Sequence, residues 1–278
     1  MRARQRIERL RGRHALVDGI PFRLPIDSSD TPALMAAFPI SASAAAKLIP
    51  GEEIQPVRLG GDVGLLIITV VNYITTDIGS YIEFSIAIAC RRGLSVGQWV
   101  VDLPVSTEIS VKGGKGIWGM PKHQANIDFV ERADKVWSQY DLDGQLCCRI
   151  EVDRPRLKGI PMPRVSAVNY CAFRGMLCKS WISFKGRAGV NLPFSRSARL
   201  TLGDHPRMAP LKTLGVRERP LFTAFLEDTQ GILDDHMESW FLTFEEPPTT
   251  RPEGLESVVG LGLGQEWLDP PKDPEAVR

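Results

Sequence analysis

From about residue 63 onward, apolar and polar positions alternate with the two-residue period of half-buried strands. GLLIITVVNY, SYIEFSIAIAC, QWVVDLPVST, ANIDFVE, VWSQYDL and CCRIEVD are short and rich in β-branched and aromatic residues. Gly, Asp or Asn turns part them. The pattern predicts a further strand pair between Ser166 and Lys185 and another strand near ARLTLG. Residues 221–242 fit either a helix or an edge strand. A short helix is expected in SASAAAKLIPG, stopped by Pro50 and Gly51. Long helical periodicities are scarce, which predicts an antiparallel, barrel-like β protein and argues against a parallel βαβ sheet.

The two ends read differently. In MRARQRIERLRGRHALVD, the residues Ile7, Leu10, His14 and Val17 share one helical face with arginines around the rest. This predicts a basic helix that docks on the domain or on a neighbouring subunit. Residues 19–32 carry Gly19, Pro21, Pro25 and a Ser-Ser-Asp run, which is loop chemistry. Three parts follow: a basic helix and loop over 1–32, a β-barrel domain over 33–245, and a Pro/Gly-rich tail over 246–278 that packs on the surface or is disordered. Gly260, Gly262 and Gly264 lack the spacing and following helix of a dinucleotide loop, and KGGKG at 112–116 lacks the ending of a phosphate loop.

Composition narrows the function classes. Hydrophobic residues make up 43% and charged residues 24% of the 278, and the net charge of +1 gives no whole-chain reason to expect nucleic acid or an anionic membrane as partner. No run reaches the length needed to span a bilayer, and no apolar segment follows the N-terminal arginines. Cys90, Cys147, Cys148, Cys171 and Cys178 are odd in number and lack metal spacing, so they read as small buried hydrophobes in a reducing, cytoplasmic location. No His pair with metal spacing and no Gly-x-Ser-x-Gly elbow occurs, which disfavours metal hydrolysis and serine catalysis.

The stretch with the most chemical content runs from Glu108 to His123. A strand-like piece leads into glycines, then into Ile117, Trp118, Gly119, Met120 and Pro121, and then Lys122. Bulky apolar neighbours can hold a lysine in a poorly hydrated place. Desolvation disfavours the charged form of an amine, and the neutral amine is what attacks a carbonyl. In SYIEFSI, alternation puts Tyr81, Glu83 and Ser85 on one face and Ile82, Phe84 and Ile86 on the other.

GIWGMPKHQA resembles the active-site segment of the acetoacetate decarboxylase superfamily. In that family a glycine-led stretch ends in Pro-Lys, and the lysine forms a Schiff base. TTDIGSYIEFSIAIAC is similar to the family's Gly-x-Tyr-x-Glu strand, Glu108 sits at the family's spacing before the lysine, and AAAKLIPGEEIQP resembles its N-terminal helix and turn. ARLTLGDHPRMAPLKTLGV matches a later segment in the same order. The resemblance implies an α+β fold, mainly an antiparallel β barrel or cone-like sheet with flanking helices, usually as a homo-oligomer.

It also implies a lyase without metal or organic cofactor. Lys122 is the expected nucleophile, with Glu83 positioning substrate or shuttling a proton. His123 stands where the family has a second lysine and is expected to serve as acid or base. Trp118, Met120 and Tyr81 are expected to line the substrate site. Other departures are Ile68 where the family has an acid, Thr31 or Asp30 where it has an arginine, and Lys115-Gly116 for its Arg-Glu. These leave a more apolar site, suited to a larger, more apolar keto acid or unsaturated carbonyl compound. The same imine also serves aldolases and dehydratases of the superfamily, and a non-catalytic small-molecule-binding barrel is the alternative of a different class.

Overall fold

The computed structural model describes residues 11–243 and 258–272. The chain opens with β1 (Arg13–Val17), β2 (Ile20–Leu24), β3 (Ile26–Ser29) and β4 (Ala33–Ser41). Ser41 then caps the short helix α1 (Ala42–Ala46) by accepting from the Ala44 amide. Next come β5 (Gln55–Pro56), β6 (Val63–Tyr73), β7 (Thr75–Thr76), β8 (Tyr81–Arg92) and β9 (Ser95–Val105). Helix α2 (Glu108–Trp118) leads to β10 (Lys122–Gln124). The second half holds β11 (Asn126–Ile127), β12 (Val130–Glu131), β13 (Lys135–Leu142), β14 (Gln145–Asp153), β15 (Leu157–Phe173) and β16 (Met176–Val190). It ends with β17 (Ala198–Leu202), helix α3 (Ala209–Lys212) and β18 (Phe222–Phe241).

Seven strands close into a mixed barrel in the order β9-β15-β16-β18-β4-β6-β8 and back to β9. The β9–β15 contact is parallel, and the other barrel neighbours are antiparallel. Strand alternation sorts the wall. Leu34, Ala36, Phe38 and Ile40 of β4, Leu66, Ile68 and Val70 of β6, and Ile82, Phe84, Ile86 and Ile88 of β8 belong to one buried core. A second sheet, with β13 and β14 at its centre and β17 at an edge, supplies Val136, Tyr140, Cys148, Ile150 and Val152 to the same core. The intervening residues of β4, β6 and β8 are thereby directed to the barrel's interior.

Several elements differ from expectation. The segment expected as a basic helix is a strand over Arg13–Val17, hairpinned to β2 through Asp18 and Gly19, both at positive φ. That turn favours the ribbon and ends any helical path; residues 1–10 lie outside the described residues. The loop expected over 19–32 holds β2 and β3, because β3 adds to β18. Residues 222–241 form neither a helix nor an edge: β18 pairs with β16 on one side and with β4 and β3 on the other. The strand-like piece before the glycines is helix α2. Of the tail, residues 258–272 are described and run against the body; residues 246–257 and 273–278 lie outside the described residues.

Candidate active site

Lys122 owes its place to the way α2 ends. Gly119 closes the helix at φ 64, its amide bonding Lys115 O while the Met120 amide bonds Gly114 O. This left-handed cap turns the chain sharply back. Strand β10 then runs parallel to β9, with Lys122 opposite Leu103. The glycines of α2 are weak helix formers, but each receives a neighbour: Phe22 packs on Gly113 and Val17 on Gly116. A β-carbon on Gly114 would fall on the Lys122 side chain itself. The helix is therefore thin where the lysine crosses it.

Lys122 is 3% exposed, and its Nζ lies 2.7 Å from Glu83 Oε2 and donates to Ser110 Oγ at 2.9 Å. The Tyr81 ring is 5.2 Å from the ammonium, and Tyr73 stacks on Tyr81 with centroids 4.6 Å apart. Burial, with the Glu83 charge added, pushes both phenols well above their ordinary range, so they stay neutral. Glu83 and Ser85 of β8 face inward as their alternation predicts, and both line a cavity of about 130 Å3 inside the barrel. Met35, Thr69, Val100 and Met120 form other parts of its wall.

The model of a family described as acetoacetate decarboxylase matches residues 11–164. The chain belongs to this family. No curated protein matches it by sequence. The acetoacetate decarboxylase of Legionella pneumophila subsp. pneumophila str. Philadelphia 1 superposes with a TM-score of 0.61 at 14% identity, covering 78% of this chain and 88% of that one. A structure from studies of acetoacetate decarboxylase gives 0.60 at 16%, covering 88% and 100%. MppR, an enduracididine biosynthesis enzyme complexed with pyruvate, gives 0.58 at 16%, covering 79% and 90%. At these identities the likeness is one of fold.

Within this acetoacetate decarboxylase fold, Lys122, Glu83 and Tyr81 come together. Met120 reaches the cavity wall. Trp118 is buried, and its Nε1 donates to the backbone oxygen of Asp234, an anchoring role for the end of α2. His123 is drawn away from Lys122. As the next residue in a strand it points to the opposite side, where its Nε2 lies 3.0 Å from Asp102 Oδ1.

Sequence reasoning missed the group that receives His123. Asp102, 3% exposed, also accepts from Tyr140 OH at 2.7 Å and from Arg207 Nε at 2.8 Å. Burial works against the carboxylate, but the hydrogen bonds and charges of His123 and Arg207 outweigh it and hold Asp102 down at about 2. Asp102 lies in an apolar strand, VVDLPV, and that lone acid was the available signal. Ser110 gave none. The family's acid position also resolves: Ile68 faces the core, and its neighbour Thr69 lines the cavity with Val71 and Tyr73 of the same strand.

Proposed function

We propose that the protein is a Schiff-base-forming lyase, with Lys122 as the nucleophile and a small keto acid or related carbonyl compound as substrate. The observation that carries the reading is a buried lysine held between a carboxylate and a hydroxyl beside a cavity in the barrel. Membership of the acetoacetate decarboxylase family supports it.

Glu83, at 2.7 Å, takes the ammonium proton and frees the amine. The amine adds to the substrate carbonyl, and the carbinolamine regains that proton and loses water to give an iminium. When the β bond leads to a carboxylate, its electron pair passes into the iminium, carbon dioxide leaves, and an enamine remains. Protonation on carbon and hydrolysis return the ketone and the lysine. Ser110 and the Tyr81 ring fix the direction of Nζ through these steps. Retro-aldol cleavage and dehydration start from the same iminium. The five free, buried cysteines suit a reducing cytoplasm, and a homo-oligomer is the assembly expected of the family.

Borohydride reduction in the presence of acetoacetate or pyruvate tests the reading. The expected result is a covalent adduct located by peptide mass at Lys122 and missing from Lys122→Ala. Folded protein that gives no adduct across a panel of carbonyl compounds is a binding barrel instead.

A further inference from the structure

We propose that the carbonyl compound taken by this site is uncharged, a β-hydroxy ketone or aldehyde of about six heavy atoms, rather than a β-keto acid. The inference rests on the Schiff-base reading and narrows it. Three features of the cavity converge on it: the charge of its wall, an unused hydroxyl and its size.

Among the described residues that line the cavity, Glu83 alone carries a formal charge. That charge is already matched by Lys122. The iminium bears the same single positive charge as the ammonium it replaces, so the pair stays balanced through the reaction. A carboxylate on the substrate would add a negative charge beside Glu83 with no further cation in the wall, and an unpaired buried charge is strongly disfavoured. Arg164 and Lys185 line a different cavity of about 440 Å3, which adjoins through Ser28, Phe184 and Gly231. Both are exposed, so solvent screens their charges, and Asp27 and Asp77 line that cavity with them.

The inner wall offers neutral hydrogen-bonding groups instead. Thr31, only 2% exposed, lines the cavity, and its Oγ1 is buried without a hydrogen-bond partner. Such a hydroxyl is costly to leave unpaired, and a substrate hydroxyl satisfies it where an apolar group does not. Two of the other polar lining contacts are already made: Thr229 Oγ1 donates to Thr31 O at 2.6 Å, and Gln98 Nε2 donates to Asn169 Oδ1 at 2.7 Å. An apolar cavity of ~150 Å3 holds benzene, so about 130 Å3 suits a compound of comparable size.

On such a substrate the chemistry balances without a co-reactant. The bond between the carbons α and β to the iminium breaks, and its electron pair forms the enamine. The β-hydroxyl gives its proton to the Glu83 carboxylate, and the β carbon leaves as an aldehyde. The proton returns to the enamine carbon, and water hydrolyses the imine. The net reaction is β-hydroxy ketone to ketone plus aldehyde, with no change of oxidation level.

The test compares 4-hydroxybutan-2-one with acetoacetate, which differ by a hydroxymethyl group against a carboxylate. Each is trapped on the full chain with cyanoborohydride at neutral pH, and each rate is divided by its rate with free Nα-acetyl-lysine. The adduct at Lys122 carries the mass of the ketone less one oxygen. The hydroxy ketone is expected to react faster by about tenfold or more, a ratio equivalent to ~1.4 kcal/mol. Thr31→Val, close in shape, is expected to slow the hydroxy ketone more than acetoacetate and so to narrow the ratio between them. Equal rates, or a preference for acetoacetate, would overturn the inference and leave the Schiff base standing. An unchanged preference in Thr31→Val would remove the hydroxyl from the argument. No adduct from either compound on folded protein would overturn the Schiff-base reading, and this inference with it.

Discussion

Replacing Asp102 by Asn should damage both stability and the site, although Asp102 does not touch Lys122. The carboxylate sits near 2 in the fold against an ordinary 3.8. That difference of about two pH units corresponds to roughly 2 kcal/mol of stability at neutral pH. The folded value is depressed, so the contribution is complete above 3.8 and is lost as pH falls through about 2. An amide also turns its NH2 group toward either Arg207 and His123 or Tyr140, and the part-exposed Arg207 guanidinium loses its counter-charge. The total cost is expected to be about 2–4 kcal/mol. Guanidinium unfolding of the two proteins checks this at pH 7 and again near pH 3, where about half of the pH-dependent part should be gone. Reduction of a carbonyl adduct at Lys122 should slow in the same variant, because His123 is released and β10 carries both residues. A cost below about 1 kcal/mol at pH 7, or one that does not change with pH, would show that the network neither holds the proton off Asp102 nor secures the strand.

Other outcomes are equally checkable. Glu83→Gln should slow adduct formation at neutral pH by about 10²–10⁴-fold, read by single-turnover trapping, since no carboxylate remains to take the lysine proton. Gly114→Ala places a methyl on the path of Lys122, and the adduct yield should fall sharply while circular dichroism stays native. All five thiols are buried and pushed up, Cys90 and Cys147 to about 12. Iodoacetamide at pH 8 should therefore spare the native protein and alkylate all five cysteines once it is unfolded. Gln124→Ala and Asn126→Ala should speed proteolysis within residues 262–270 while lowering global stability by only about 1 kcal/mol each.

The barrel was legible because its strands carry a clean two-residue period. In β8 the order Tyr81, Ile82, Glu83, Phe84, Ser85, Ile86 states which residues face the cavity and which the core, and the structure follows it. The register of β18 was less legible: its Asp, Glu and Gln residues blur the alternation, and only its neighbours on both sides make it a strand. Helix α2 was misread because Ile109, Val111 and three glycines are poor helix formers. It is stabilised by what packs on those glycines, and that information lies about 90 residues earlier in Val17 and Phe22. His123 was expected at the nucleophile because it stands where the family has a second lysine, whereas strand geometry sends adjacent residues apart. Its partners Asp102 and Arg207 come from distant parts of the chain.

Residues 258–272 are anchored at their start by Val258 and Leu261 packing into the core, and onward mainly by their backbone. Lys112 Nζ donates to Leu261 O, Gln124 Nε2 to Glu266 O, Asn126 Nδ2 to Asp269 O and Gln139 Nε2 to Lys272 O. In return Glu108 accepts the Gly262 amide, and Asp141 accepts that of Lys272. Trp267, whose indole donates to Ser80 O, is a contact made by a side chain of the segment. A ribbon held this way is recognised beyond Leu261 more by its course than by its letters. Apart from Trp267, its sequence there can change so long as the peptide groups keep their directions, whereas a proline at Gly262 or Lys272 removes a donor. The constraint resides in the body, in Lys112, Gln124, Asn126 and Gln139, which read as ordinary polar residues until the strand of chain laid across them is seen.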